Sequence, residues 1–320
     1  MSSEQIIIGV AEARDRDGLA ELLDQAYGPH NPYWAELDGW LRGDGALTIV
    51  AAQVAPGGVG DEPPARIIVG MARLCSLAPD EWWFESLITR EGFRRRGVMQ
   101  RIFVFGYTWW LEHGAGTVRG MTSNYNTAAH EQSEKWNATR TQTYTHYVAP
   151  PAAEPAAHHF APLGELDVDG ALAAVAGSPI LAASGGLVEQ RWRWRGWSRD
   201  YATAMARAGE LFGWRGGRGV VAMWTRRGPD GPELRVWLAA GDDLAGLARD
   251  IRAYAAAVLS SLDPRPGRIH WRIPEAAGLD GLLQEAGFAI RDGFEHRFHI
   301  YEFTRLGEGG IPTSRGAGAA

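Results

Sequence analysis

Residues 81–99 read E-W-W-F-E-S-L-I-T-R-E-G-F-R-R-R-G-V-M, and no other stretch of the chain restricts the fold so tightly. Glu81 to Thr89 is aromatic and β-branched, and Ala78, Pro79 and Asp80 just before it favour a turn. This pattern predicts a strand entered from a hairpin. Arg94, Arg95, Arg96 and Gly97 follow, and Val98 to Leu111 then has the length of a four-turn helix. A helix start presents free N–H groups and the positive end of the helix dipole, which suits a phosphate. Gly97 has no Cβ to obstruct the approach of an anion, and the three arginines add charged donors. A solvated basic loop ahead of an ordinary helix fits the same residues.

The rest of the first half supplies the partners of that strand. Ile6 to Ala11 reads as a strand, and 15–27 carries Leu19, Leu22, Leu23 and Ala26 at helical spacing. A short helix over 32–41, strands over 47–54 and 66–77, and a Gly/Pro loop over 56–64 precede the arginine stretch. After it come a strand over 117–122, a helix over 126–136 and a strand over 139–148.

Two motifs in this order resemble the acyl-CoA-binding core of the GNAT (N-acetyltransferase) superfamily. Arg94 to Met99 fills the pattern Q/R-x-x-G-x-G/A, with Met99 where a small residue is usual. Asn126 to Asn137 resembles N-x-x-A-x-x-x-Y-E-K-x-G, with Asn126, Ala129, Glu134 and Lys135 matching; Ser133 replaces the tyrosine and Asn137 the glycine. The fold that this resemblance implies is α/β, a twisted mixed sheet flanked by helices. Leu282 to Phe288 (L-L-Q-E-A-G-F) resembles the close of a second such domain. The expected layout is therefore two GNAT-like domains in tandem: an acyl-CoA-binding domain over 1–150, a linker over 151–159, a degenerate domain over 160–306 and a disordered tail over 307–320.

In the second half, strands are expected over 187–194, 219–226, 233–240, 268–273 and 294–303, with helices over 200–208, 244–262 and 279–286. Asp242 and Asp243 stand where the first half has arginines, and acid at a helix start repels phosphate, so this half is not expected to bind CoA.

The resemblance implies acetyl-CoA as acyl donor, held by Leu87, Ile88 and Thr89, by Arg94, Arg95, Arg96, Gly97, Val98 and Met99, and by Asn126. The residues themselves leave Asn126 equally suited to cap a helix. Amine acylation needs a base, an oxyanion donor and an acid for the leaving thiolate. Glu85 is the expected base. Strand alternation puts it on one face with Glu81, Trp83 and Leu87, and an apolar setting there would raise its pKa. A rim glutamate paired with an arginine is the other reading. A backbone N–H near 87–89 is the expected oxyanion donor. For the acid, Ser133 holds the family position, and Tyr125, Tyr144 or Tyr147 are nearby alternatives.

Composition narrows the remaining classes. The 320 residues are 45% hydrophobic with formal net charge −6, which argues against non-specific nucleic-acid binding. No apolar run reaches membrane-spanning length, so no membrane partner is expected. The single Cys75 excludes an internal disulfide and fits a reducing cytoplasm. No metal site is expected. Arg191 to Arg195 alternates basic and aromatic residues, a pattern read as one wet and one buried strand face. The expected activity is transfer of an acetyl group to a primary amine of a small molecule or peptide. The second half would then complete the acceptor cleft or a homodimer interface. The alternatives are a non-catalytic acyl-CoA-binding module and a carrier-protein-linked acyltransferase or decarboxylase.

Overall fold

A computed structural model describes residues 5–28, 32–43, 45–54, 66–154, 157–228, 230–293 and 296–303. The loop expected over 56–64, the tail over 307–320 and the start of the last strand at 294–295 lie outside the described residues. By contacts the chain divides into two compact units, one built from 1–120, 135–138 and 302–320, the other from 121–134 and 139–301. This division departs from the boundary expected at 150. The strand over 139–149 pairs through 144–149 with a strand of the second half, Ala149 opposite Ile269 and Tyr144 opposite Pro274, and so is counted there.

The first unit runs β1 (Gln5–Val10), α1 (Arg16–Tyr27), α2 (Leu37–Arg42), β2 (Ala46–Val54), β3 (Arg66–Ala78), β4 (Glu81–Thr89), α3 (Val98–His113) and β5 (Thr117–Ser123). Its strands lie in the order β1-β2-β3-β4-β5, antiparallel except for the parallel β4–β5 pair. On one face α1 and α2 bury Leu19, Leu22, Leu23 and Trp40 against Val50, Ile68 and Met71. Ala20 is buried in α1, whereas Ala26, expected on the apolar stripe, is exposed. On the other face α3 buries Val98, Ile102, Phe103, Gly106, Tyr107 and Trp110, a stripe at helical spacing. A Cβ on Gly70 of β3 would stand 2.9 Å from Val98 Cγ1 and 3.1 Å from Ile102 Cδ1, so the absent side chain sets how closely α3 lies on the sheet.

The second unit holds most of α4 (Thr127–Lys135), then β6 (Thr139–Ala149), β7 (Phe160–Pro162), α5 (Val168–Ala176), α6 (Pro179–Ala183), β8 (Leu187–Gln190), β9 (Arg193–Gly196) and α7 (Arg199–Arg207). It continues with β10 (Leu211–Trp214), β11 (Gly219–Gly228), β12 (Gly231–Gly241), α8 (Leu244–Leu262), β13 (Arg268–Pro274), α9 (Asp280–Glu285), β14 (Ala289–Ile290) and β15 (Arg297–Phe303). The strands are ordered β15-β6-β13-β12-β11-β10-β7, and β8 and β9 form a separate two-stranded ribbon. The single strand expected over 187–194 is thus a hairpin that turns at Arg191 and Trp192. The long helix α8 has the bounds its apolar periodicity predicts. The short elements β7, α5, α6 and β10 carry too few residues to give a clear period.

The second unit repeats the central arrangement of the first. In each, an antiparallel hairpin (β3–β4, β11–β12) leads to a long helix and then to a parallel strand. The parallel pairing covers Glu81–Thr117 to Phe84–Gly120 in one and Glu233–Arg268 to Val236–Trp271 in the other. In each, the hairpin register slips just past the last parallel pair. The chain is α/β, with mixed sheets flanked by helices.

Candidate functional site

The site in the first unit begins where β4 leaves β5. The parallel register ends at Phe84 and Gly120, while β4 continues to Thr89 beside β3. Met71 faces Ile88 but Arg73 faces Glu85, so Ser86 and Leu87 together oppose Ala72. This is a β-bulge, and Ser86 carries its strain at φ 53°. The bulge breaks the alternation expected from the sequence: Trp83 is buried, whereas Leu87, two positions past Glu85, is 42% exposed. Beyond Phe84 the strand therefore offers backbone groups of 85–89 on the side that β5 has left, to which an extended ligand can add as a strand does. The bulge also re-aims the N–H groups in the segment expected to hold an oxyanion.

The basic loop sits directly after this edge. A one-turn helix over Glu91–Phe93 leads into Arg94, whose Nε donates to Thr89 O at 3.5 Å. Arg95 at φ 63° and Gly97 at φ 72° both take left-handed conformations, and Gly97 is the N-cap of α3. Among the described residues no side-chain hydrogen bond caps that helix start. A Cβ at Gly97 would meet nothing within 4 Å; the glycine is needed for its backbone angle, and open space lies beside it. Arg94, Arg95 and Arg96 are exposed, with the Arg96 guanidinium 5.0 Å from the centroid of Phe93. Val98 is buried against the sheet, and Met99 is half-buried. Uncapped N–H groups, adjoining guanidiniums and free space suit a phosphate-bearing anion.

Glu85 lies one residue past the last parallel pair. Its Oε1 accepts from Arg73 Nη1 at 2.7 Å and from Cys75 Sγ at 3.3 Å. Arg73 is buried, with its guanidinium 4.1 Å from the centroid of Trp40. The apolar setting expected for Glu85 is therefore an ion pair. The sequence reading missed Arg73 and Cys75 as partners of Glu85. Their signal was an arginine inside the apolar run of β3, meaningful only once the hairpin register is known.

The remaining expected site residues fall in the second unit. Asn126 Oδ1 accepts from Ala129 N at 3.3 Å, the geometry of a helix cap. Ser133 is buried in α4. Tyr144 is buried in β6, its ring 5.3 Å from that of Trp194. Tyr125, the alternative acid, is 53% exposed.

The second unit shows what the same framework becomes without those features. One residue past its last parallel pair stands Trp237, where the first unit has Glu85. Asp243 caps α8 with its own carboxylate, Oδ1 accepting from Gly246 N at 2.8 Å, and Arg215 and Arg218 pair with Asp243 and Asp242. The short α6 packs against both β12 and β13, with Ile180 buried in the α8 core and Ser178 Oγ donating to Ala239 O. The helix start is thus capped by the chain itself, and α6 lies against the diverging strands.

Among the described residues no group of three His, Cys, Asp or Glu side chains could hold a metal ion, and no helix is long and apolar enough to cross a membrane. No protein-family model matches the chain, and no curated protein does. Solved structures do. A GCN5-related N-acetyltransferase from Sphaerobacter thermophilus superposes with a TM-score of 0.59 at 14% identity, covering 93% of this chain and 95% of that one. A tandem GNAT protein from the clavulanic acid biosynthesis pathway gives 0.56 at 15% identity, over 93% and 98%. A glucosamine N-acetyltransferase region in a fungal multi-domain GH3 β-N-acetylglucosaminidase gives 0.64 at 12% identity, over 95% of this chain and 38% of that one. The chain has the fold of the GCN5-related N-acetyltransferases. At these identities the likeness is one of fold.

Proposed function

We propose that the protein is an acyl-CoA-dependent N-acyltransferase that moves an acetyl group to a primary amine of a small molecule or peptide, with the donor site in the first unit. The observation that carries this reading is one juxtaposition: the bulged, open edge of β4 runs directly into an arginine-rich loop and an uncapped helix start. Bound acetyl-CoA would supply an activated thioester. Arg94, Arg95, Arg96 and the N–H groups from Val98 onward hold its diphosphate, and the 87–89 backbone lines up its arm. Glu85 takes the proton of the incoming ammonium once its pairing with Arg73 is loosened. A bulge N–H faces the carbonyl oxygen as charge develops there. The departing thiolate takes its proton from water; Asn126, Ser133 and Tyr144 belong to the second unit.

A second reading, a non-catalytic acyl-CoA-binding module, is favoured by the engagement of Glu85 with a buried arginine and by Ser133 in place of a tyrosine. One experiment separates the two. Calorimetry with acetyl-CoA is run beside a transfer assay across an amine panel. Binding with transfer supports the enzyme, binding with background turnover supports the module, and no binding removes both.

A further inference from the structure

The sheet of the second unit has two unlike faces. Leu234, Val236, Ile269, Trp271 and Ile273 pack with α8 in an apolar core. The alternate residues of the same strands are charged or polar: Glu233 and Arg235 on β12, His270 and Arg272 on β13, with His146 of β6 bonded to His270 at 3.1 Å. The β8–β9 ribbon lies over this second face, since Glu189 pairs with Arg272 and the ring of Trp192 stacks 3.6 Å from the Arg272 guanidinium carbon.

Three properties of this covered face point to a ligand. Arg272 is only 4% exposed, and its Nη1 donates to Glu189, yet among the described residues its buried Nε and Nη2 meet no hydrogen-bond partner. Those two nitrogens form one edge of the guanidinium, the edge that grips a carboxylate through two parallel hydrogen bonds. The charges around it do not balance: Arg226, Arg235 and Arg272 face Glu189 and Glu233. Burial and the nearby Arg235 and Arg272 push His270 down to about 3, so it is neutral and adds no charge at neutral pH. Among the described residues the arginines of this face outnumber its carboxylates by one, with the partly exposed Arg226 as the outermost member. Finally, the ribbon's two-residue turn is strained. Arg191 at φ 52° and Trp192 at φ 70° occupy the positions where such turns use Asn and Gly, at a cost of roughly 1–2 kcal/mol per residue. That turn places Trp192 over Arg272, and among the described residues the ribbon pairs as a sheet only within itself.

We propose that the Nε–Nη2 edge of Arg272 is a binding site for the carboxylate of a small organic acid, with Trp192 and the β8–β9 ribbon as its cover. A monocarboxylate cancels the single excess charge, whereas a phosphate dianion would overshoot it. The site lies wholly in the second unit and does not depend on the acyl-transfer reading.

The test uses the full chain without CoA. Acetate and propionate are titrated by calorimetry at fixed ionic strength, beside inorganic phosphate and chloride, while hydrogen exchange is followed over 187–196. A carboxylate is expected to bind at one per chain and to slow exchange in the ribbon. Arg272→Lys, which keeps the charge but loses the edge, is expected to weaken binding at least about tenfold, the weight of one good charge-assisted bond. Should that variant fail to fold, Glu189→Gln serves, because it adds to the excess positive charge and should tighten binding at least threefold. Absence of carboxylate binding in both the native protein and Trp192→Ala overturns the proposal. So does an affinity unmoved by Arg272→Lys or by Glu189→Gln, or phosphate binding as tightly as the carboxylates.

Discussion

Arg73 Nη1 and Glu85 Oε1 lie 2.7 Å apart across neighbouring strands, so the expected base is held by a buried guanidinium stacked on Trp40. Glu85→Gln should lower transfer turnover at least about 100-fold while shifting the acetyl-CoA Kd less than about threefold. It also leaves the Arg73 charge buried without its counter-ion, so a fall in stability of about 1–3 kcal/mol should accompany it, read by denaturant unfolding. Unchanged turnover removes Glu85 as base.

The donor loop makes a separate claim on Gly97 and Arg96. Gly97 sits at φ 72° with open space where a side chain would project. Gly97→Asp puts a β-carbon on a left-handed residue and a negative charge at the helix start. The acetyl-CoA Kd should rise about tenfold or more, and Arg96→Ala should raise it several-fold, with the salt dependence of binding reduced. Calorimetry at two ionic strengths checks both, and a Kd indifferent to either change places the diphosphate elsewhere.

Acetyl-CoA should bind once per chain. Asp243 already occupies the start of α8 in the second unit, and Trp237 takes the place of Glu85 there. Asp243→Ala should cost about 1 kcal/mol as a lost helix cap and create no second binding event. A stoichiometry of two in either protein would contradict this assignment.

Stability should decline in acid through two groups of the second unit. Glu233 is pulled down to about 2: its burial works against this, but the hydrogen bond from Arg226 and the charges of Arg235 and Arg226 outweigh it. A depressed carboxyl stabilises the fold fully above its ordinary value and loses that contribution as pH falls from 4.5 toward 2. His270 is also depressed, from 6.5 to about 3, so the unfolded chain takes its proton first and stability falls between those values. At about 1.4 kcal/mol per pK unit, Tm should drop steadily below pH 6.5. His270→Gln should flatten the profile from pH 6.5 to 4, and Glu233→Gln the part below 4.5. A native Tm constant from pH 7 to 4 would count against both.

Helix α3 tests the close packing behind the site. Gly70→Val would drive a side chain into Val98, Ile102 and the Ile88 carbonyl. The expected loss is about 1–3 kcal/mol, with weaker acetyl-CoA binding because the helix start must shift. A variant with native stability and affinity would show that α3 is free to adjust.

Much of this was legible in the residues alone. The strand over 81–89, the arginine loop, the start of α3 at Val98 and the full span of α8 follow from periodicity, turn residues and a glycine where a left-handed angle is needed. These are local properties, set by residues within one or two turns of each other. The likeness of the second half to the first was also readable, as was the acid that replaces its arginines.

Tertiary structure alone decided the rest, because register between distant strands is set by packing and not by neighbours in sequence. The bulge at Ser86 and Leu87, the partner that Arg73 gives to Glu85, and the hairpin folded into 187–196 all depend on such registers. So does the pairing of β6 with β13, which moves 139–149 out of the unit to which its sequence position assigned it. A sequence lists the charged groups of β12 and β13; only the folded sheet reveals that Arg272 is buried beneath a tryptophan with one edge that no described residue pairs.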